Sequence, residues 1–480
     1  MKHKKIGGLI IALIMLSFIA SATETTTSTQ ADFDEGIYNQ TLYNTTDYFV
    51  QLNQSFNNGT YLSKVFVAGG SAQWNNISWV ANNYGALPDN GQVETADYAA
   101  NMSGNIALWH LDEGAVNGGT VYDNSSNGEH GTAYFSGAGT CSGVAGKLDG
   151  GCTFDGTTDY IDITMPIPST VTISAWAKSS ASSLVDMLWC INNGGTGGPD
   201  LFFYSGRISL NTWNGANNPF CNIPADVDEW HLYTTIIESG NTALYIDGEL
   251  CGTANYANPS DSSIAIGSSN GYDWEGQIDE FAIWNRSLSQ NEIRNQYRRG
   301  IVRLNLTART CDDSNCDTEP WTDIGDTSPQ TLSLDNNTYF QYKYYFETDN
   351  LSYSPRLYNA TLNYNIIPSL DHYYVRTYED NDLPRSHFAN QSMARIKTNG
   401  TFTAAPTITI LDSEGTTITN EIEMVNESNI FTYNYTLNGS QGWYDVTINS
   451  QEWKKVFYQA EIWQGNYTDE GGNPFVFRRK

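Results

Sequence analysis

Basic residues are scarce in this chain. Its 480 residues include 24 Lys and Arg against 53 Asp and Glu, which gives a formal net charge of −29 at pH 7. Residues 1–22 hold three of the Lys and no acid, so the remainder is more acidic still. A surface of this sign repels nucleic-acid phosphates and anionic membrane surfaces, and we therefore exclude both as partners. It suits solubility or cation binding.

Histidine is scarce as well. The chain has six His, one of them within residues 1–22. No Ser/His/Asp arrangement, His cluster or Gly-rich phosphate loop stands out in the sequence. Because the side chains that most enzymes use are few, the sequence predicts that the protein is not an enzyme.

Long apolar runs are missing beyond the N-terminus. Lys2, Lys4 and Lys5 precede an apolar stretch from Ile6 to Ile19, and Ala20-Ser21-Ala22 fits the small-x-small cleavage rule. Residues 1–22 are therefore predicted to be a cleaved signal peptide, with an uncleaved membrane tether as the alternative. With the signal removed, no transmembrane span is expected, and the predicted location is extracellular or at the cell surface.

Tyr, Thr, Asn and Gly are abundant, which is typical of β-rich globular chains. Segments such as Val171-Thr-Ile-Ser-Ala-Trp-Ala-Lys178 and Ala243-Leu-Tyr-Ile-Asp247 alternate at a period of two, between Gly- and Asn-rich breaks. This pattern predicts an all-β fold of several antiparallel β-sandwiches. One helix is predicted from the capping box Ser289-Gln-Asn-Glu292, with Gly300 as its stop.

A series of short motifs runs through residues 106–300. They are Ala107-Leu-Trp-His-Leu-Asp-Glu-Gly114, Val121-Tyr-Asp-Asn-Ser-Ser-Asn-Gly128, Phe154-Asp-Gly-Thr-Thr-Asp-Tyr-Ile161, Trp230-His231, Leu244-Tyr-Ile-Asp-Gly248 and Gly276-Gln-Ile-Asp-Glu-Phe-Ala-Ile-Trp-Asn285. In this order they resemble the LamG-like family of the concanavalin A-like lectin/glucanase superfamily. The resemblance implies a jelly roll of two antiparallel sheets, one short helix at its C-terminal end, and binding of glycans or proteins.

Some members of that superfamily are glucanases, whose catalytic strand carries carboxylates at i, i+2 and i+5. The closest stretch here is Glu275-Gly-Gln-Ile-Asp-Glu280. Gln277 lies between Glu275 and Asp279 on one face, and alternation is expected to point Glu280 the other way. Since an amide is neither nucleophile nor proton donor, glycoside hydrolysis ranks third among the candidate functions.

A calcium ion is the predicted cofactor. LamG-like domains often carry one at the rim of the sandwich, and oxygen ligands from Asp112, Asp123 and Asp279 would suit this hard cation. The alternative is that Asp123 and its neighbour Asn124 form a turn and that Asp112 is a cap.

The predicted ligand-binding surface is a hairpin with Ser205-Gly206 as its turn. One face would carry an aromatic and polar set suited to stacking on a sugar and bonding to its hydroxyls: Phe202, Tyr204, Arg207, Asn211 and Trp213. The alternative is ordinary cross-strand pairing on a solvated face.

Seven cysteines are present. In an exported chain the closely spaced pairs Cys141 and Cys152, and Cys311 and Cys316, are plausible disulfides. Zinc binding by these cysteines is the alternative, but no His lies at ligand spacing to either pair. Cys190, Cys221 and Cys251 leave one pair and one odd thiol, and their pairing stays open.

Sequons of the form Asn-x-Ser/Thr are frequent outside residues 106–300. Within residues 106–300, only Asn124 and Asn285 begin a sequon. One interpretation is that these sequons arise by accident in strands rich in Asn and Thr. We favour the other, that they mark an N-glycosylated surface protein. The predicted glycosylation sites are Asn39, Asn44, Asn58, Asn76, Asn336, Asn359, Asn399 and Asn434.

The flanking segments read as further sandwiches. Residues 32–104 and 301–366 each have too few strands for a core, so we predict one discontinuous sandwich into which residues 106–300 are inserted. Two small domains are the alternative. Residues 368–450 alternate like an Ig-like sandwich, and residues 451–480 are a tail. The arrangement resembles secreted archaeal and bacterial surface proteins.

The predicted function is that of a cell-surface protein that binds glycans or surface glycoproteins through a non-catalytic LamG-like domain. A structural envelope glycoprotein that self-associates is the alternative. The scarcity of sequons over residues 106–300 favours binding, because a bare surface can engage a ligand.

Overall fold

The computed structural model describes residues 23–367, apart from 93, 182–184, 192–198, 212–217, 239, 256–261 and 268–270. Further along, it describes 374–378, 387–388, 393–399, 407–411, 417–427, 430–436, 443–448 and 456–459. The predicted signal peptide lies outside these residues. Within them, no helix has the length and apolar character needed to cross a membrane.

The elements alternate between strands and short turns along the chain. Before the central domain lie β1 (Thr23–Thr27), α1 (Gln30–Phe33), β2 (Ile37–Asn39), β3 (Thr41–Asn44), β4 (Phe49–Leu52), β5 (Asn58–Leu62) and β6 (Phe66–Ala81), with a 3₁₀ turn at Asp89–Gly91. The central domain contains β7 (Asn105–Trp109), β8 (Thr120–Val121), β9 (Gly131–Tyr134), β10 (Cys152–Asp155), β11 (Tyr160–Ile163), β12 (Val171–Ser179), β13 (Val185–Ile191), β14 (Asp200–Tyr204), β15 (Arg207–Asn211), β16 (Phe220–Asn222), β17 (His231–Glu238), β18 (Asn241–Ile246), β19 (Glu249–Ala254), β20 (Ile264–Ile266), β21 (Glu275–Trp284) and α2 (Gln290–Ile301).

The remaining strands follow α2. They are β22 (Val302–Cys311), β23 (Thr322–Gly325), β24 (Gln330–Thr331), β25 (Asn337–Thr348), β26 (Leu357–Ile366), β27 (Tyr374–Tyr378), β28 (His387–Phe388), β29 (Met393–Asn399), β30 (Thr407–Leu411), β31 (Thr417–Glu423), β32 (Val425–Glu427), β33 (Ile430–Thr436), β34 (Trp443–Ile448) and β35 (Val456–Gln459). The all-β fold of antiparallel sheets with one short helix after the jelly roll, predicted from two-residue alternation, is confirmed.

The central domain consists of two sheets. Seven strands form one, in the order β10-β21-β12-β17-β18-β19 with β7 beside β21, and eight form the other, in the order β16-β15-β14-β13-β20-β11-β9-β8. Their inner faces share one core, which includes Trp109, Ile173, Trp189, Phe203 and Phe281. Burying this apolar surface holds the two sheets face to face.

Three disulfides lie in the described chain. Cys141 bonds to Cys152 and Cys311 to Cys316. The third bond, between Cys221 and Cys251, joins β16 of the eight-stranded sheet to β19 of the seven-stranded sheet. It therefore fastens the two layers of the jelly roll together. Cys190, the remaining cysteine, is buried.

The strands on either side of the central domain share a single 11-stranded sheet. Its middle strand, β6, pairs with both β25 and β26, although the central domain separates them in sequence. The sheet curves so that β3 and β4 contact β5, around a core that includes Trp74, Ile77, Phe340 and Tyr344. β1 adds to β26, so this sheet begins at Thr23.

Helix α2 and residues 84–102 cover the outer surface of the seven-stranded sheet. Leu87, Met102 and Ile293 pack there against Trp284. The helix begins at the predicted capping box, where Ser289 and Glu292 bond to each other's backbone. This packing buries the second face of that sheet.

Gly300 is not the stop that the sequence predicted. The helix continues to Ile301, and the backbone turns extended at Val302. A Cβ at Gly300 would lie 2.5 Å from Cζ2 of Trp176. Glycine is needed at this position because the helix touches the indole ring, not because the chain must turn.

The C-terminal strands form two sheets, β27-β29-β33-β32 and β28-β35-β34-β30-β31. All their described pairs are antiparallel except β28 with β35. Strand β35 falls in the segment interpreted as a tail, and it pairs with β34.

Candidate functional site

The hairpin of β14 and β15 presents the predicted ligand-binding residues on one surface. Ser205 and Gly206 form its two-residue turn with φ of 52° and 77°, the conformation that tight hairpins need. The turn pairs Tyr204 with Arg207 and Phe202 with Ser209. Since side chains alternate along a strand, the core takes Leu201, Phe203, Ile208 and Leu210. The opposite, outer surface of the eight-stranded sheet carries Phe202, Tyr204, Arg207 and Asn211.

Aromatic rings on this outer surface are in contact with one another and with solvent. The rings of Phe202 and Tyr204 are parallel, with centroids 5.8 Å apart. The guanidinium of Arg207 lies 4.3 Å from the centroid of Phe220 on the adjacent strand. Tyr204 is 57% exposed and Phe220 48% exposed. The surface therefore offers flat apolar faces beside a charged donor.

Two further tyrosines lie on the same surface, and the sequence analysis missed them. Tyr134 of β9 pairs with Tyr160 of β11, and their rings stack with centroids 4.8 Å apart. Tyr134 is 41% exposed. β11 is three strands from β14 in the sheet, or about 14 Å at roughly 4.8 Å per strand. Alternation beside the buried Ile161 was the signal that could have placed Tyr160 outside.

We call this outer surface of the eight-stranded sheet the aromatic face. Its members are Tyr134, Tyr160, Phe202, Tyr204, Arg207 and Phe220. Of the predicted set, Asn211 accepts a hydrogen bond from Nδ2 of Asn218 at 3.2 Å. Trp213 lies outside the described residues. Tyr134, Tyr204 and Phe220 of the aromatic face are exposed, whereas Met187, Cys190 and Ala265 between the two groups of rings are buried. The outer surface of the seven-stranded sheet is covered by α2 and the segment before β7.

A bulge in β21 overturns the expectation for Glu280. Asp279 pairs with Trp176 but Ala282 pairs with Ser174, so one extra residue is accommodated, and Glu280 has a φ of 50°. Asp279 and Glu280 consequently both lie on the covered side of the sheet. Asp279 accepts the Leu148 N–H at 2.8 Å, and Glu280 accepts that of Leu87 at 3.0 Å.

His110 completes a buried ionic cluster on the covered side. Its Nε2 lies 2.8 Å from Oδ1 of Asp89, and its Nδ1 contacts the Glu280 carboxylate. Burial alone would lower the pKa of His110, but hydrogen bonds and charges of the two carboxylates outweigh it and raise the pKa to about 9. The imidazole is therefore charged at neutral pH and ties the segment before β7 to the sheet.

The predicted calcium ligands are each engaged by backbone amides. Asp123 accepts the N–H groups of Leu108, Ser125 and Glu129, which organises the turn after β8. Asp112 accepts the Gly150 N–H at 2.7 Å. Among the described residues, no three His, Cys, Asp or Glu side chains are grouped to hold a metal. Calcium binding accordingly stays a prediction.

Burial outweighs the amide hydrogen bonds in setting the pKa values of two predicted ligands. Burial and the charge of Glu280 raise the pKa of Asp279 well above its usual range. Burial also raises the pKa of Asp112.

The predicted glycosylation sites are accessible where the structure describes them. Asn39, Asn58, Asn336 and Asn434 are exposed, and Asn44, Asn76 and Asn359 are partly exposed. The Asn399 side chain lies outside the described part. Whether any site carries a glycan stays a prediction.

Comparison with known proteins identifies the fold of the central domain. Residues 155–294 match the model of the Concanavalin A-like lectin/glucanases superfamily. No curated protein sequence matches the chain.

Similar solved structures include domain 4 of AbnA, an extracellular arabinanase from Geobacillus stearothermophilus, in complex with arabinotriose. It is 14% identical with a TM-score of 0.32, over 40% of this chain and 97% of that one. Trypanosoma rangeli sialidase is 13% identical with a TM-score of 0.33, over 44% of this chain and 35% of that chain, so the match spans about a third of the sialidase. The ligand-binding domain of Botulinum neurotoxin serotype D, in complex with N-acetylneuraminic acid, is 12% identical with a TM-score of 0.33. The match covers 70% of this chain and 79% of that domain's chain.

Proposed function

We propose, from a central domain that belongs over residues 155–294 to the concanavalin A-like lectin/glucanase superfamily, that the protein binds carbohydrate on its aromatic face without cleaving it. The observation that carries the proposal is the set of exposed rings, Tyr134, Tyr204 and Phe220, on the outer surface of the eight-stranded sheet. The fold alone would not decide function, since one fold hosts many.

The chemistry of the aromatic face suits a sugar. The apolar face of a pyranose stacks on an aromatic ring, while its hydroxyls need donors and acceptors beside the ring. Tyr204 supplies an exposed ring, and Arg207, held against Phe220, supplies donors from the adjacent position. The second ring pair, Tyr134 and Tyr160, is about 14 Å away and offers a separate place for a sugar unit to stack.

The carboxylates of this face argue for binding without hydrolysis. Asp162 of β11 and Asp200 of β14 lie three strand spacings apart, about 14 Å. Glycosidases need a pair about 5 to 9.5 Å apart. The other carboxylates of the sequence-based glucanase test, Asp279 and Glu280, lie on the covered side of the opposite sheet. Neither of these two pairs is placed to cleave a sugar that stacks on Tyr204.

An extracellular setting fits the rest of the chain. Three disulfides are typical of proteins that mature in an oxidising compartment. The acidic composition keeps the protein soluble and off anionic surfaces. We infer a role in recognition of glycans or glycoproteins outside the cell, with adhesion as its consequence at a cell surface.

A glycan array on the full chain, followed by calorimetric titration of the best neutral oligosaccharide, tests the proposal. Tyr204→Ala should weaken binding about tenfold, because the lost stacking surface corresponds to about 1.4 kcal/mol. Tyr345→Ala, on β25 of the 11-stranded sheet, is the matched control and should bind like the parent protein.

Titration with Ca²⁺ and then with EDTA shows whether a metal contributes. Saturable binding that Tyr204→Ala leaves unchanged would remove the aromatic face as the site. Absence of binding to any glycan by folded protein would favour the structural envelope role.

A further inference from the structure

A groove of about 310 Å³ lies between the 11-stranded sheet and helix α2. It is lined on one side by residues from β3, β4 and the segment after them, and on the other by Tyr98 and Arg298. Its volume falls in the range of small-molecule sites. The groove is remote in sequence from the aromatic face, and none of its lining residues belongs to that face.

Arg298 faces this groove without a carboxylate partner. The neighbouring arginines of α2 are paired, Arg294 with Glu249 and Arg299 with Glu94. Within the part of the chain that the structure describes, Arg298 forms no ion pair, and its Nε is buried with no hydrogen-bond acceptor. Its single hydrogen bond runs from Nη1 to Oδ1 of Asn295 at 3.5 Å. A buried donor without an acceptor is costly, and an anionic ligand would supply one.

Aromatic rings hold the guanidinium in place. Arg298 lies 5.1 Å from the ring centroid of Tyr353 and 5.7 Å from that of Tyr98. Rings on both sides restrict the side chain, so its planar fork is pre-organised for a carboxylate. Little conformational entropy is then lost when a ligand binds.

The remaining lining combines rings, amides and hydroxyls. Phe49 is buried under the guanidinium of Arg356, which pairs with Asp97, and Asp97 also accepts a hydrogen bond from the Tyr358 hydroxyl at 2.8 Å. Gln51 and Gln54 add amides. Asp47 also lines the groove, and Arg356 is already paired with Asp97, so among the described lining residues the guanidinium left without a carboxylate partner is that of Arg298.

We propose that this groove binds a carboxylate-bearing sugar unit, of the uronic acid type. The carboxylate accepts paired hydrogen bonds from Arg298, the strongest geometry for such a group. The amides of Gln51 and Gln54 bond to ring hydroxyls, and Phe56, which is 39% exposed, contacts the apolar face of the ring. The proposal does not rest on the function of the aromatic face.

Titration of the full chain with D-galacturonate, D-galactose and acetate tests the site. Galacturonate should bind measurably and the other two at least tenfold more weakly, and its affinity should fall as salt is raised. Arg298→Gln should weaken galacturonate binding at least tenfold. Arg294→Gln, the same change one turn earlier on a residue already paired with Glu249, should leave it unchanged.

Three results would overturn the proposal. They are equal affinity for galactose, equal affinity for acetate, and unchanged galacturonate binding in Arg298→Gln. If Arg298→Gln does not fold, Gln54→Glu provides the second variant, because it adds a negative charge at an exposed position of the groove. It should also weaken galacturonate binding, and binding that it leaves unchanged would equally count against the groove.

Discussion

His110 is the residue whose charge state matters most for stability. Its pKa is raised from 6.5 to about 9 by Glu280 and Asp89 despite its burial. A shift of this size corresponds to on the order of 3 kcal/mol. Because the folded-state pKa is the higher one, the contribution is complete below pH 6.5 and is lost as the pH rises towards 9.

His110→Asn, compared with the parent protein by urea unfolding between pH 5.5 and 9.5, measures this contribution. The difference in unfolding free energy should be largest at the acidic end and shrink towards pH 9. The His110 charge also lowers the pKa of Asp112, so the difference reports the imidazole together with the carboxyl groups that it influences. A difference that does not change with pH would mean that His110 acts through packing alone.

Single residues were also the hardest part of the site to predict. The hairpin could be predicted because Ser205-Gly206 has a turn signal and alternation fixes the outward side of both strands. The His110 cluster could not, since Asp89 and Glu280 reach it from distant parts of the chain. The bulge at Glu280 did have a signal, because two adjacent acids separate the core residues Ile278 and Phe281 by three positions and so break the two-residue alternation.

At the scale of elements, the Cys221–Cys251 bond is the strongest covalent link between the two central sheets. It closes a sequence separation of 30 residues, whereas Cys311–Cys316 closes 5. In the chain-entropy account, loops of these lengths are worth about 3.6 and about 2 kcal/mol. Replacing both Cys221 and Cys251 by Ala should therefore cost more stability than replacing both Cys311 and Cys316.

Chemical unfolding of the two double variants beside the parent protein checks that order. The reverse order would show that strain or residual structure outweighs loop entropy. The sequence left this bond open because the pairing depends on how β16 and β19 stack, which strand patterns alone do not specify.

At the scale of the molecule, a buried ion pair joins the central domain to the 11-stranded sheet. Lys147, 4% exposed, contacts Asp349 and lies 4.7 Å from the ring of Trp176. Burial lowers the pKa of Lys147, against the opposing effect of Asp349. Asp349 also binds Arg303 through two hydrogen bonds of 2.8 and 3.0 Å. The carboxylate of Asp349 therefore bonds both to Lys147 of the central domain and to Arg303 of the 11-stranded sheet.

Lys147→Met should lower the thermal midpoint by an amount equivalent to about 1–3 kcal/mol, since it removes a buried charged partner. Lys64→Met removes a cation from the exposed pair with Glu35 and should cost less than about 1 kcal/mol. Scanning calorimetry of both variants measures the two changes in thermal midpoint. Equal changes would mean that the Lys147–Asp349 pair contributes no more than a surface ion pair.

The interrupted sheet has a consequence for the nascent chain. Strand β6 emerges long before its partners β25 and β26, so both of its edges stay open while the central domain is synthesised. Unpaired edges of this kind invite association with other chains. We expect faster folding of the inserted domain to bring the two halves of the interrupted sheet together sooner, and slower folding to leave the edges of β6 exposed for longer.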